Sequence, residues 1–181
     1  GRTIRIEVNK MKVKSHIPNI FTLLNLTLGI LAIFSIINES YTVSALLILL
    51  AALTDRFDGQ LARRLDAESE LGKELDSLCD LISFGVAPAV LIWSFQLVDF
   101  GIIGIIIVVI FAISGAYRLA RYNVMEFDGV YIGIPITMCG GIVALITLYS
   151  ISYEANIYFV GLLMLFLSYS MVSKRIKLRK R

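Results

Sequence analysis

Long apolar runs separated by short charged clusters set the pattern of this chain. Between successive charged side chains lie uninterrupted stretches at 17–38 (22 residues), 40–54 (15), 81–98 (18), 100–117 (18), 129–153 (25) and 155–173 (19). A bilayer core takes about 20 apolar residues per helix, so six membrane-spanning helices are predicted. The runs are unbroken rather than alternating, which excludes a β-barrel, and helices and closed barrels are the only structures that satisfy backbone groups in lipid. The predicted class is therefore all-α and polytopic. The second run is short for a span, so its helix is expected to continue through residues 55–63 and to carry charge into the interface.

Composition agrees with this pattern and narrows where chemistry can sit. Of 181 residues, 57% are hydrophobic and 17% charged, and the mean hydropathy is +0.81; a soluble domain this small could not hide that much apolar surface. Six helices use about 120 residues and leave about 60, which excludes a sizeable soluble catalytic domain. Any active site must lie on the helices or at their ends. The first apolar run is too long for the core of a cleavable signal peptide and is expected to remain as a helix.

The 17 basic residues fix an orientation. Five precede the first run (Arg2, Arg5, Lys10, Lys12, Lys14), and four lie between the second and third (Arg56, Arg63, Arg64, Lys73). Two lie between the fourth and fifth (Arg118, Arg121), and six follow the last (Lys174, Arg175, Lys177, Arg179, Lys180, Arg181). The remaining connections carry only Glu39, Asp99 and Glu154. Cytoplasmic loops retain Lys and Arg, so both termini and both longer loops are expected at the cytoplasmic face of a cell membrane. Such a face suits anionic headgroups and substrates, and no nucleic-acid motif is present. The chain divides into a basic N-terminal arm (1–16), a helical domain (17–173) and a basic tail (174–181). Within the arm, Ile4, Ile6 and Val8 alternate with Arg5 and Glu7 as in a strand. Residues 1–10, ahead of Met11, read either as an expression remnant or as a native arm on anionic lipid. Pro18 fits the first turn of the first helix.

The chemistry concentrates between residues 55 and 80. Asp55 and Asp58 are three apart and Asp76 and Asp80 four apart, so each pair shares a helix face, and two adjacent antiparallel helices can bring all four together. Four carboxylates at a bilayer boundary repel one another and are poorly solvated unless a cation sits among them. Hard oxygen ligands suit Mg²⁺ or Mn²⁺, and Ca²⁺ fits the same set; one histidine (His16) and two cysteines (Cys79, Cys139) do not make a zinc site. Four Asp can hold two ions in the arrangement that clamps phosphoryl oxygens during in-line displacement. Gly59 would let a diphosphate approach the backbone, Ala62 keeps that face shallow, and Arg63 offers a guanidinium.

These residues resemble a known signature. Asp55-x-x-Asp58-Gly59-x-x-Ala62-Arg63, eight residues, then Gly72-x-x-x-Asp76-x-x-x-Asp80 matches every fixed position of the CDP-alcohol phosphotransferase family. The resemblance implies a six-helix membrane enzyme, usually a homodimer, that displaces CMP from a CDP-linked lipid with an alcohol and uses two divalent ions at the cytoplasmic surface. Carried over, Asp55, Asp58 and Asp76 would hold one ion and Asp55, Asp76 and Asp80 the other, with Asp80 as proton acceptor. Gly59, Ala62, Arg63, Ser69, Asn19 and Thr22 would contact the CDP moiety. Local similarity through residues 75–88, 117–123 and 133–135 narrows the resemblance to the membrane-integral phosphatidylserine synthases. That implies CDP-diacylglycerol, or an ether-lipid analogue, as donor and L-serine as acceptor.

Serine brings a carboxylate, an ammonium and the attacking hydroxyl, so its site needs a cation and oxygen acceptors. Arg118 and Arg121, three apart, with Asn123 following, are the expected contacts for the serine carboxylate or the donor phosphate; they also fit the ordinary positive-inside anchor. Within the same class, glycerol 3-phosphate or an inositol phosphate is the competing acceptor. Outside it stand a divalent-cation transporter using the same acids and a non-catalytic nucleotide-lipid binder. The glycines at 101, 104, 115, 140 and 141 are expected at close helix contacts and the cysteines as small buried residues. Trp93, Tyr149 and Tyr153 read as interface anchors.

Overall fold

A computed structural model describes residues 2–66, 68–125 and 130–179, apart from the side chains of residues 2, 11–15, 131 and 179. Among the described residues the chain is helical throughout, with one short strand pair. The helices are α1 (Arg2–Ile37), α2 (Tyr41–Arg64), α3 (Glu70–Asp80), α4 (Ala87–Phe95), α5 (Ile102–Val124), α6 (Ile136–Tyr153) and α7 (Ile157–Val172). A π-helical segment, Leu81–Val86, joins α3 to α4 without a break, and a 3₁₀ turn at Leu97–Phe100 leads into α5. Among the described residues, four stretches are long and apolar enough to cross a membrane: His16–Ile37, Glu70–Phe95, Ile102–Val124 and Ile136–Tyr153. α7 is a largely apolar helix of 16 residues, about 24 Å long against a hydrocarbon core of about 30 Å. α2 is long enough, but its last third is charged.

The rod from Glu70 to Phe95 is the centre of the bundle and packs against α1, α2, α5 and α6. Phe84, Ala87, Ala89, Leu91 and Ile92 on it are fully buried. Its wide turn has a local cause. Pro88 carries no N–H, so the Phe84 carbonyl lacks its usual donor four residues on, and the backbone there is free to open into a π turn. α1 and α2 form a tight antiparallel pair, with Ala32 and Ala45 buried and the Ser44 hydroxyl donating to the Ala32 carbonyl at 2.9 Å. Small residues at this crossing let the backbones approach.

Several expectations are corrected. The helix that carries the third apolar run starts at Glu70, ahead of the run itself at 81, because the charged face of α3 borders a cavity and does not end the helix. Residues 4–8 are helical, not strand-like: they extend an existing helix, which adds one hydrogen bond per residue with no nucleation cost. Pro18 consequently stands inside α1, not in its first turn. Before α6, residues 130–132 form a strand, β1 (Val130–Ile132), which pairs antiparallel with β2 (Lys177–Arg179) in the basic tail. As expected, α2 runs on to Arg64, and Cys79 and Cys139 are buried free thiols.

Candidate active site

The four acids arrive from two rods. Asp55 and Asp58 lie on the last turns of α2; Asp76 and Asp80 lie on α3, just before the π segment. One carboxylate oxygen from each of Asp55, Asp76 and Asp80 falls within 4.8 Å of the other two. Asp58 stands apart from that trio: its Oδ2 accepts a 2.6 Å hydrogen bond from the Thr22 hydroxyl on α1. Of the four acids expected to converge, the structure thus gathers three, and the fourth is tethered to Thr22.

Outside the acid cluster these carboxylates find neutral partners. Thr137 Oγ1 donates to Asp55 Oδ2 at 3.2 Å, and Asn25 Nδ2 donates to Asp80 Oδ1 at 3.0 Å. Asp76 Oδ1 is buried with no hydrogen-bond partner. Crowded, poorly hydrated carboxylates with one oxygen left over match the donor set of a hard divalent cation, and the neutral donors orient the acids without neutralising them.

Beside the acids opens a cavity of about 630 Å³ lined by residues of α1, α2 and α3. Asn19, Thr22, Gly59, Ala62 and Ser69, all expected to meet the CDP moiety, line it together with Asp58 and Asp76. Ser69 is the N-cap of α3, its hydroxyl accepting from the Gly72 N–H at 3.0 Å. Both glycines keep the floor open. A Cβ at position 72 would come within 3.0 Å of the Ser69 hydroxyl and 3.2 Å of Asn19 Oδ1; one at 59 would touch the Arg63 guanidinium at 3.4 Å. Arg63 thus reaches back over Gly59, where a cation can meet phosphate oxygens.

The residues expected to meet the acceptor are placed differently, and none of them lines this cavity. Arg118 is buried and its guanidinium lies 4.4 Å from the Tyr122 ring centroid. Arg121 Nη1 donates to the Val172 carbonyl at 2.9 Å, with Nε and Nη2 buried and unpartnered. Asn123 ties α5 to α3: Nδ2 donates to Ser77 Oγ at 3.0 Å and its carbonyl accepts from Lys73 Nζ at 3.2 Å. The Tyr122 hydroxyl donates to the Ile132 carbonyl at 3.0 Å and accepts from the Ile132 N–H, which fastens β1 to α5.

Sequence reasoning missed Asn25, Ser83 and Thr137. Asn25 had a visible signal, since Asn19, Thr22 and Asn25 recur every third residue in an otherwise apolar helix and so share a face. Thr137 had none, because only the packing of α6 on α2 brings it to Asp55.

Comparison with known proteins agrees with this geometry. The family profile described as CDP-alcohol phosphatidyltransferase matches residues 15–172. A CDP-diacylglycerol–serine O-phosphatidyltransferase of Bacillus subtilis (strain 168) is 36% identical over 161 residues, 88% of each chain. One of the same name from Helicobacter pylori (strain ATCC 700392 / 26695) is 35% identical over 140 residues, 76% of this chain and 59% of the relative. An archaetidylserine synthase of Methanothermobacter thermautotrophicus is 42% identical over 135 residues, 71% of this chain and 57% of the relative.

Proposed function

The chain belongs to the CDP-alcohol phosphatidyltransferase family, and on that premise we propose that it transfers a phosphatidyl group from CDP-diacylglycerol, or an ether-lipid analogue, to the hydroxyl of L-serine, releasing CMP. The observation that carries this reading is the contact of Asp55, Asp76 and Asp80 at the edge of a cavity lined by Asn19, Thr22, Gly59, Ala62 and Ser69. The serine synthases among its relatives support the choice of acceptor.

The proposed topology has six crossings, with Glu70–Phe95 as one of them, and both termini cytoplasmic. The β1–β2 pair supports it, because the connection before α6 and the segment after α7 must then share a membrane face. Asn123 binds the end of α5 to α3, so the acid cluster belongs to that same face, where the basic residues gather. A homodimer is part of this proposal.

In the mechanism, the CDP diphosphate lies along Gly59 with Arg63 over it, and Asn19, Thr22 and Ser69 bound the nucleotide end of the cavity. Two divalent ions, Mg²⁺ or Mn²⁺, held by Asp55, Asp58, Asp76 and Asp80, would offset diphosphate charge and stabilise CMP as leaving group. Asp80 accepts the proton of the serine hydroxyl; the serine oxygen forms a bond to the lipid-proximal phosphorus as the bond from that phosphorus to CMP breaks. Arg63 balances charge that builds on the phosphoryl oxygens. Thr137 and Asn25 keep Asp55 and Asp80 aimed, and the buried surroundings of Asp80 exclude competing water.

The test offers the purified protein CDP-diacylglycerol and Mg²⁺ with serine, glycerol 3-phosphate or an inositol phosphate. CMP and a serine phospholipid are expected. CMP with glycerol 3-phosphate and not with serine would overturn the acceptor. No CMP under any condition, with a liposome Mg²⁺ flux that Asp58→Ala abolishes, would replace the enzyme with a transporter.

A further inference from the structure

We propose that Asn25 binds the acceptor directly, its amide oxygen receiving a hydrogen bond from the ammonium group beside the reacting hydroxyl; this rests on serine as acceptor, proposed above. Asn25 is 0% exposed, and its Oδ1 is buried with no hydrogen-bond partner. An amide oxygen left that way is costly, so its persistence next to the reaction centre calls for a ligand. The amide cannot simply be turned over, because Asp80 accepts from Nδ2 at 3.0 Å and a carboxylate needs a donor there. The oxygen is therefore the end left for a further donor.

The residue is also held in place. The Ser83 hydroxyl donates to the Asn25 backbone carbonyl at 3.0 Å, a contact that reaches α1 from the π segment. Gly29 permits it, since a Cβ at that position would lie 2.3 Å from Ser83 Oγ. Asp80 and Asn25 thus offer two neighbouring oxygen acceptors on a fixed frame. Serine carries its two donors, hydroxyl and ammonium, on neighbouring carbons, and the pairs match: hydroxyl to Asp80, ammonium to Asn25. An alcohol bearing a phosphate instead of the ammonium brings acceptors to acceptors and is disfavoured, so the same contact discriminates among acceptors.

The experiment compares serine with 3-hydroxypropionate, which lacks only the ammonium, in the wild type and in Asn25→Leu. The wild type is expected to lose about 10- to 100-fold in kcat/KM on the change of acceptor, the range for a buried hydrogen bond to a charged group. Asn25→Leu, with CMP affinity unchanged, is expected to use the two acceptors about equally. If the variant slows both acceptors by one factor and keeps the wild-type ratio, Asn25 only positions Asp80 and the proposal fails. A variant altered only in its Mg²⁺ requirement also overturns it. Should Asn25→Leu not bind CMP, Asn25→Asp, which retains an oxygen acceptor, decides: discrimination kept supports the contact, and discrimination lost refutes it. A wild type that uses glycerol 3-phosphate and not serine removes the acceptor reading and this inference together, whereas serine activity with an unchanged ratio removes this inference alone.

Discussion

Adjacent glycines on α6 offer a sharp test of how the bundle holds its acids. A Cβ at Gly140 would lie 2.7 Å from the Phe84 carbonyl oxygen and 2.8 Å from Phe84 Cα, whereas one at Gly141 meets nothing within 4 Å. Backbone atoms cannot swing aside as a side chain can, so Gly140→Ala must part α6 from the π segment by about 0.7 Å to restore ordinary contact. Overpacking of this kind costs about 1–3 kcal/mol. Both variants regain the same helix propensity, about 1 kcal/mol, so it cancels in their difference. At about 2–4 °C per kcal/mol, Gly140→Ala should melt about 2–12 °C below Gly141→Ala. Phe84 stands four residues beyond Asp80, and Thr137, three residues before Gly140, bonds Asp55, so the same shift spreads the acid cluster. Since a misplacement of about 1 Å can cost about 100-fold in rate, kcat should fall about tenfold in Gly140→Ala and stay near wild type in Gly141→Ala. Melting in detergent and CMP release read the two effects. Equal melting points and equal rates would refute the packing argument.

Three further outcomes are expected. Thr137→Val keeps the side-chain volume but removes the donor to Asp55, so a Mg²⁺ titration of CMP release should need about tenfold more metal for half-maximal rate; an unchanged midpoint would make the contact incidental. Asp80→Asn should lower kcat by about 10²- to 10⁴-fold while CDP-lipid binding persists, and loss of binding would assign Asp80 to holding the donor. Tyr122→Phe deletes both hydrogen bonds to Ile132 at about 1 kcal/mol each and should lower the melting point by about 4–8 °C; no change would show that the strand pair does not depend on it.

Much of the helical plan was legible because lipid imposes it: runs free of charge foretold α1, α5, α6 and α7 to within a few residues at most ends. The same rule failed at α3, where Glu70, Lys73, Glu74 and Asp76 are charged residues of a helix that borders a cavity and continues into the bundle. Counting between charges cannot distinguish a loop from a wet helix face. The Asp spacing was legible because i, i+3 and i, i+4 positions share a face whatever surrounds them. What decides the cluster's finer shape was not: Thr22 draws Asp58 aside, Thr137 reaches Asp55 from 82 residues away, and Asn25 reaches Asp80 from 55. Such partners follow from helix packing alone. The adjacent Gly140 and Gly141 read alike in sequence, and only the neighbour across the crossing separates them.

The pairing of β1 with β2 carries a consequence for how the molecule is made. Residues 130–132 leave the ribosome well before 177–179, and α6 and α7 are made in the interval. Until then β1 lacks its partner strand, although Tyr122 already holds it to α5. A nascent chain with its acids already assembled would therefore still have an α5–α6 connection fastened on one side only, and residues 177–179 would act as the latch that closes the other.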